Sequence, residues 1–386
     1  MHLLTSTALD RVVPLCDGLD IHAAVGAILA GEASGDVYVD DPARPRVALL
    51  RAKHRFHLAG AADNAAFNAW LVAWFDSYVY PEAKRLGHVE WELFYDGEHW
   101  ESAIGTMMAA LSPIRDLREY YQLERTHHDW RALLPEGMDV RTVDATLLAE
   151  TSLRRLDELR EEMCSERATV DEFLAHSTGA CVIRRDARAD DELVAWCLSE
   201  YDHDARCEIG IETAAGYRRR GLATVVATAL VESLQARETT RVGWHCWRWN
   251  VASGATARKV GFRRLAEYPV YFAWFDEAAN LAVNGNVRLR EGDPDAALAW
   301  FRRSLATDAA PAWAFFGAAR AAAATGDSDA ALGYAAEAVD RGFTHVGTLQ
   351  GAEELRPLHD TDAWRRLMAR LMARIGADGR ARGPAG

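Results

Sequence analysis

Four side chains between residues 208 and 271 stand out as candidates to move a proton: Glu208, Glu212, Tyr268 and Tyr271. Glu208 and Glu212 stand four apart in Glu208-Ile209-Gly210-Ile211-Glu212-Thr213, where acidic or small residues alternate with isoleucine. That alternation is the period of a strand, so both carboxylates project from one face. Either could take a proton from an ammonium. The task has a definite size: an alkyl ammonium of pKa near ~10 is about one part in a thousand neutral at pH 7, roughly 4 kcal/mol. Tyr268 and Tyr271 lie on a later strand and could return a proton to a leaving group.

A second group of residues could hold an anion. The chain turns through Ala214-Ala215-Gly216-Tyr217-Arg218-Arg219-Arg220-Gly221, then carries Leu222, Val225, Val226, Ala229, Leu230 and Leu234 at helical spacing. A helix start offers unpaired N–H groups and the positive end of a dipole. Gly221 and Ala223 put no bulk in the way, and three arginines flank the turn. A pyrophosphate is the simplest occupant. No Gly-x-x-x-x-Gly-Lys-Ser/Thr and no Gly-x-Gly-x-x-Gly occurs in the chain.

The spacing Arg218-x-x-Gly221-x-Ala223 after a strand resembles the acyl-CoA signature of the GNAT superfamily of N-acetyltransferases. A second block, Asn250-x-x-Ser253 followed by Lys259-x-Gly261-Phe262, resembles that family's motif after the next strand. Two motifs about thirty residues apart, in the right elements, are far more specific than either alone. The resemblance covers residues 136–276. It implies that the backbone of Ile209, Gly210, Ile211, Glu212 and Thr213 pairs with the pantetheine of acetyl-CoA, Gly210 permitting close approach. Arg218, Arg219, Arg220, Gly221, Leu222, Ala223 and Thr224 would hold the pyrophosphate, and Asn250 and Ser253 would lie near the pantetheine arm. It implies Glu208 first, and Glu212 second, as general base. The family's usual tyrosine acid falls at Ala257 here, which leaves Tyr268, Tyr271 or no acid at all.

The fold that must position these residues is expected to be α/β (α+β). Residues 136–276 read as a GNAT-type mixed sheet flanked by helices, in the order β-α-α-β-β-β-α-β-α-β. Residues 1–135 read as an α/β half whose hairpin, long helix, strand, helix and strand loosely mirror it, a degenerate copy. Within it, residues 1–30 are expected to be helix, as are residues 64–84 and 100–111. Asp144 is expected to cap one helix running to about Glu162.

Residues 277–375 are alanine-rich and helical. Gly292-Asp293-Pro294-Asp295-Ala296-Ala297-Leu298 recurs as Gly326-Asp327-Ser328-Asp329-Ala330-Ala331-Leu332, an offset of 34 residues, the tetratricopeptide period. The second aspartate of each is the expected helix cap, and Ala297 and Ala331 the points of close helix contact. Residues 376–386, rich in Gly, Arg and Ala, are expected to be a disordered tail.

Composition excludes several classes. With 44 Lys+Arg against 57 Asp+Glu, a net charge of −13 argues against nucleic-acid or anionic-membrane partners and leaves room for cationic amines. Six scattered cysteines without a Cys-x-x-Cys pair give no zinc or redox site. His54 and His57, His99 and His127-His128-Asp129 lack metal-ligand spacing, so no metal is expected. No secretory signal or spanning segment is evident, so the expected location is cytoplasmic. Three functions follow: acetyl transfer to a small-molecule amine such as a metabolite or antibiotic, acetyl transfer to a protein or peptide held by the C-terminal repeats, and a non-catalytic acyl-CoA-binding scaffold.

Overall fold

A computed structural model of the chain describes residues 1–186 and 190–381. Residues 187–189, and residues 382–386 of the expected tail, lie outside the described residues.

Among the described residues, twelve strands form one mixed sheet: β1 (His2–Leu3), β2 (Asp36–Val39), β3 (Val47–Ala52), β4 (Arg55–Gly60), β5 (Glu90–Tyr95), β6 (Ile114–Leu123), β7 (Met138–Thr142), β8 (Gly179–Arg184), β9 (Glu192–His203), β10 (Arg206–Thr213), β11 (Arg241–Trp247) and β12 (Phe262–Trp274). Their order is β1-β2-β3-β4-β5-β12-β6-β11-β10-β9-β8-β7. β4 runs parallel to β5, and β10 parallel to β11.

The helices among these strands are α1 (Ala23–Leu29), α2 (Ala65–Trp74), α3 (Tyr80–Leu86), α4 (Glu101–Met107), α5 (Trp130–Leu133), α6 (Ala145–Leu148), α7 (Leu156–Glu166), α8 (Val170–His176), α9 (Leu222–Ala236) and α10 (Val251–Val260). The two halves of the sheet are built alike. Hairpin β3–β4, α2, β5, α4 and β6 correspond in order to hairpin β9–β10, α9, β11, α10 and β12. The last strands are exchanged: β6 of the first half pairs antiparallel with β11 of the second, and β12 lies between β5 and β6.

Local chemistry explains most of the boundaries. Asn64 accepts from the Phe67 N–H at 3.1 Å and starts α2. A π-turn at Phe75–Val79 joins α2 to α3, where Pro81, which has no N–H to give, enters the next helix. Asp144 does cap a helix, accepting from Leu147 N–H at 2.8 Å. That helix ends at Leu148, and α7 starts only at Leu156, after Arg155 takes φ +66°. The single helix expected to Glu162 is therefore two. Residues 1–30 also depart from expectation. They form β1, three short 3-10 turns and only then α1, because Pro14, Asp17-Gly18 and extended His22 interrupt the apolar pattern.

The chain gathers into two compact units, Met1–Ser77 with Glu92–Met107 and Arg115–Phe272, and Tyr78–Trp91 with Met108–Ile114 and Ala273–Gly386. In the first, α9 buries Leu222, Val225, Val226, Leu230 and Leu234 against one face of β8–β11. Leu147, Leu156, Leu159, Met163 and Phe173 of α6–α8 cover Trp196 and Leu198 on the other face.

The second unit contains α11 (Glu277–Arg290), α12 (Pro294–Leu305), α13 (Ala312–Ala324), α14 (Ser328–Asp340), α15 (Val346–Gly351) and α16 (Asp362–Ala381). Residues 376–381 of the expected tail thus continue α16. Phe301, Ala297 and Ala331 are fully buried in the core of this unit. The caps of α12 and α14 are Asp293 and Asp327, each accepting at 3.0 Å from the third residue on. These are the first aspartates of the two Gly-Asp-x-Asp turns. Pro294 and Ser328 already occupy the first helical position, which pushes Asp295 and Asp329 into the first turn. Asn280 holds the Leu111 and Ser112 carbonyls at 3.0 and 3.2 Å, which fastens residues 108–114 to α11.

Candidate active site

β10 and β11 pair only at Arg206↔Arg241, Cys207↔Val242 and Glu208↔Gly243. Beyond that point β10 pairs with β9 through Thr213, and β11 pairs with β6 through Trp247. The two parallel strands thus part after Glu208 and Gly243, and the facing edges of Ile209–Thr213 and Trp244–Trp247 are left unpaired with each other. The ladder of β9 with β10 is irregular just before this, where Tyr201 and Asp202 oppose the single residue Cys207. The extra residue belongs to β9, and Tyr201 takes φ +52° there.

The gap leads to the start of α9. Gly221 sits at the helix N-cap with φ +80°, and no side chain caps this end. A left-handed residue there favours glycine, and a Cβ on Gly221 would meet nothing within 4 Å. Arg219 also has a positive φ, +63°, and Arg218, Arg219 and Arg220 are exposed. Arg218 Nε donates to the Thr213 carbonyl at 3.1 Å, and the Arg220 guanidinium lies 5.2 Å from the Tyr217 ring centroid. An uncapped helix end, an open glycine and three cationic side chains suit a pyrophosphate, and an unpaired strand edge suits an amide-bearing arm. The residues present fit acyl-CoA.

The remaining expected donor residues divide. Asn250 caps α10, accepting from Ser253 N–H at 3.1 Å. Ser253 Oγ accepts from Trp244 Nε1 at 3.0 Å, so its hydroxyl holds the wall of β11. Gly210 makes a close approach possible, but to Glu200: a Cβ there would lie 2.1 Å from Glu200 Oε1.

The expected proton-moving residues also separate. Tyr268 and Tyr271, three apart on β12, face opposite sides of the sheet. Tyr271 packs against Tyr95 at 5.9 Å between ring centroids. Glu212 is 43% exposed and ion-paired to Arg155 at 3.3 Å, and four strand residues set it ~13 Å from Glu208. Glu208 and Tyr268 are brought together. Glu208 Oε1 is 3.5 Å from His245 Nε2, and His245 Nδ1 is 2.7 Å from the Tyr268 hydroxyl. His245 Nε2 also lies 3.2 Å from the Ile21 carbonyl.

This Glu–His–Tyr chain is part of a buried polar stripe crossing one face of β4, β5, β12, β6, β11, β10 and β9. Arg55 reaches Glu166 at 3.0 Å, Glu92 at 3.4 Å and Glu200 at 3.8 Å. Arg118 binds Glu92 at 2.6 Å, and Tyr201 donates to Glu166. His22 and His57, 5.2 Å apart between ring centroids, close the stripe, and His57 Nδ1 is buried without a hydrogen-bond partner. At its centre is a cavity of about 20 Å³ lined by His22, His57, Arg118, Glu208, His245 and Tyr268 among others, enough for one water.

Burial sets the charges. Burial alone would raise the Glu208 carboxyl; His245, the Ala23 N–H and Arg55 outweigh it and hold it down at about 2. Burial pushes His57 down to about 4, Arg55 adding to the shift and Glu208 opposing it. Burial likewise holds His22 well below the usual range, with His57 and His245 beside it. Burial and Glu166 raise Glu200 to about 8, against the pull of Arg55. Burial also raises the Tyr268 hydroxyl.

His245, His22, Arg55, Glu166 and Glu200 lie outside the set to which the sequence points. For His245 a signal exists: it shares a strand face with Gly243 and Trp247 and alternates with the apolar Trp244 and Cys246. Among the described residues, no three His, Cys, Asp or Glu are grouped to hold a metal ion, and no helix is long and apolar enough to cross a membrane.

Comparison with known proteins identifies the family. Residues 14–271 match the family model described as GNAT acetyltransferase. An N-acetyltransferase of Bacillus subtilis, YdfB, itself uncharacterized, is 24% identical over 251 residues, 64% of this chain and 89% of its own. A GCN5-related N-acetyltransferase-like protein of Streptococcus suis, 21% identical, superposes with a TM-score of 0.51 over 70% of this chain and 99% of its own. The family match spans both halves of the sheet, from before α1 to within β12, and the chain belongs to the GNAT acetyltransferase family.

Proposed function

We propose that the protein moves an acetyl group from acetyl-CoA directly to the primary amine of a small molecule, at the Glu208 end of the gap between β10 and β11. The observation that carries this reading is a coincidence of position. The strands part immediately after the Glu208↔Gly243 pair, and the buried Glu208–His245–Tyr268 chain begins at that same residue.

On this reading the backbone of Ile209–Thr213 lies along the pantetheine. The N–H groups from Arg219 to Thr224, with Arg218, Arg219 and Arg220, hold the pyrophosphate. Such helix-end contacts contribute about 0.3–1 kcal/mol each when exposed and up to ~2 kcal/mol when partly buried. Asn250 and Ser253 shape the arm's path by fixing α10 and Trp244. The amine nitrogen attacks the thioester carbonyl, its proton passes to the Glu208–His245 pair, the C–S bond breaks, and Tyr268 protonates the departing sulfur. With its low proton affinity, Glu208 serves as the fixed negative charge beside the His245 imidazole. Glu212 and Tyr271 lie outside that chain and have no proton-moving part in it. The enzyme acts in the cytoplasm, without nucleic-acid or membrane partners. Residues 1–135 are a degenerate copy of the acetyltransferase half at 136–276.

A second reading takes a protein or peptide as acceptor. The 34-residue recurrence supports it, since helical hairpins α11–α12 and α13–α14 follow the tetratricopeptide period and such repeats are interaction surfaces. A third, a non-catalytic acyl-CoA scaffold, is supported by Ala257, which is fully buried where the family's acid stands.

Thiol release from acetyl-CoA by the intact chain, screened over amines, amino acids, aminoglycosides and peptide N-termini, separates the three. Turnover with a small amine is the expected result. Turnover with peptides alone selects the second reading, and acetyl-CoA binding without release selects the third.

A further inference from the structure

The first half of the sheet holds a larger cavity, about 730 Å³ in volume, at the end of β4 between the start of α2 and the side of α4. This is the place that, in the second half, corresponds to the end of β10 between α9 and α10. Its chemistry is the reverse. β4 and β5 stay paired through Leu58↔Tyr95, and the Gly60 N–H beyond them is taken by Asp96 Oδ2 at 2.7 Å. The start of α2 is closed by its own Asn64 side chain. The N–H groups that invite a phosphate at Gly221 are thus engaged here.

Three of the donors that line the cavity are engaged as well, while the exposed Ser102 hydroxyl makes no hydrogen bond among the described residues. Asn68 Nδ2 donates to the Ala62 carbonyl at 2.8 Å, the Thr106 hydroxyl to the Ser102 carbonyl at 2.9 Å, and His99 Nε2 bonds the Gly60 carbonyl at 2.9 Å. Acceptors remain. The Thr106 and Ser102 oxygens keep their lone pairs, and behind them Asn68 Oδ1 is buried with no hydrogen-bond partner. The Asp63 carboxylate stands at the rim, 85% exposed and 3.9 Å from the exposed Arg46 guanidinium. The rest of the lining, Ala65, Ala103 and Met107 among it, is apolar. A volume of this order suits a drug-sized molecule. A wall with a carboxylate and hydroxyl oxygens to offer, and most of its donors committed, favours a ligand that donates.

We infer that this cavity is a second ligand site, and that it takes a primary ammonium carried on an apolar body. The site is independent of the donor gap and of the Glu208 chain. It disfavours phosphates and carboxylates, the class that the second half is built to hold.

Ligand-observed saturation-transfer NMR on the intact chain at pH 7, with n-hexylamine, n-hexanol and hexanoate as probes, tests it. Hexylamine is expected to bind, hexanol about tenfold more weakly, and hexanoate not at all. Ala65→Arg sets a cation at the mouth and Ala103→Trp fills the space; each should weaken hexylamine at least about tenfold while acetyl-CoA binding is unchanged. Ala65 is exposed, so that variant decides the matter even if Ala103→Trp does not fold. Hexanoate binding as tightly as hexylamine, hexylamine binding unaltered in Ala65→Arg, or no hexylamine binding at all would each overturn the inference.

Discussion

The Glu208 carboxylate accepts a hydrogen bond at 2.5 Å from the backbone N–H of Ala23, 185 residues earlier in the chain. Ala23 opens α1, and no side chain of α1's own segment caps that end. One carboxylate therefore serves as a remote helix cap and as the partner of His245. Its negative charge meets the positive end of α1 on one side and an imidazole on the other. The charge of Glu208 is coupled to the packing of the first half, because protonating it would weaken both contacts.

The pH dependence of stability should show this coupling. The Glu208 carboxyl is held down at about 2, below the 4.5 of an ordinary glutamate. A lowered carboxyl stabilises the fold above its unfolded pKa, and that contribution is lost as pH falls from about 4.5 to about 2. The shift corresponds to about 3 kcal/mol. Glu208→Gln should therefore lower stability by about 2–3 kcal/mol at pH 7, with the gap to wild type narrowing steadily below pH 4.5. Urea unfolding at pH 7, 5 and 3.5 measures it. A gap that does not change with pH would mean that the charge of Glu208 is not what the fold uses.

Glu200 should act with the opposite sign. Burial and Glu166 raise its pKa to about 8, with Glu208 and Glu162 adding and Arg55 opposing. A carboxyl with a raised folded pKa binds its proton more tightly when folded, so stability falls as pH climbs from about 4.5 to about 8. Glu200→Gln, which keeps the shape and removes the titration, should be more stable than wild type at pH 9 by several kcal/mol at most, and about equal to it at pH 4. Equal melting temperatures at pH 9 would show that Glu200 remains ionised at little cost beside Arg55.

At Gly221 backbone and ligand effects can be told apart. Its φ of +80° costs an L-residue about 1–2 kcal/mol, while the space around it is open. Gly221→Ala should lower stability by about 1 kcal/mol and leave acetyl-CoA affinity within a few-fold of wild type. Gly221→Glu carries the same backbone cost and adds a negative charge where the pyrophosphate is proposed to lie. Its acetyl-CoA affinity should fall at least about tenfold further than that of the alanine variant. Calorimetric titration of both separates strain from repulsion, and equal affinities would remove the phosphate from this turn.

Much of this arrangement is legible in local sequence. Glu208, Gly221, Asn250 and Gly261 stand out because a strand period, a helix start and a cap are each written within a few residues. The polar stripe is not legible in that way. His22, Arg55, Glu92 and Arg118 come from separate segments, and each alone reads as an ordinary buried or surface residue; only the sheet order puts them beside His245. The exchange of β6 and β12 is also invisible, since both strands follow the expected order along the chain and differ only in their partners. In each Gly-Asp-x-Asp turn the second aspartate reads as the cap, but the first one holds that place. The first helical position, held by Pro294 in α12, decides for the earlier one and shifts the frame by two residues.

The helical unit allows a test in which two effects of one substitution oppose each other. Phe301 is fully buried, with its ring between Gly285 of α11 and Gly317 of α13. A Cβ on Gly317 would lie 2.4 Å from the ring, and one on Gly285 would lie 2.9 Å from it. The ring has no room to retreat from one helix without striking the other. Gly317→Ala gains about 1 kcal/mol of helix propensity, but overpacking of this kind costs typically about 1–3 kcal/mol. The net effect should be a loss of up to about 2 kcal/mol, read from thermal or urea unfolding. Phe301→Leu in the same chain relieves the contact, so the double variant should lose less than the sum of the two single changes. Strict additivity would mean that α11 and α13 can move apart at little cost, and that the two glycines do not set their separation.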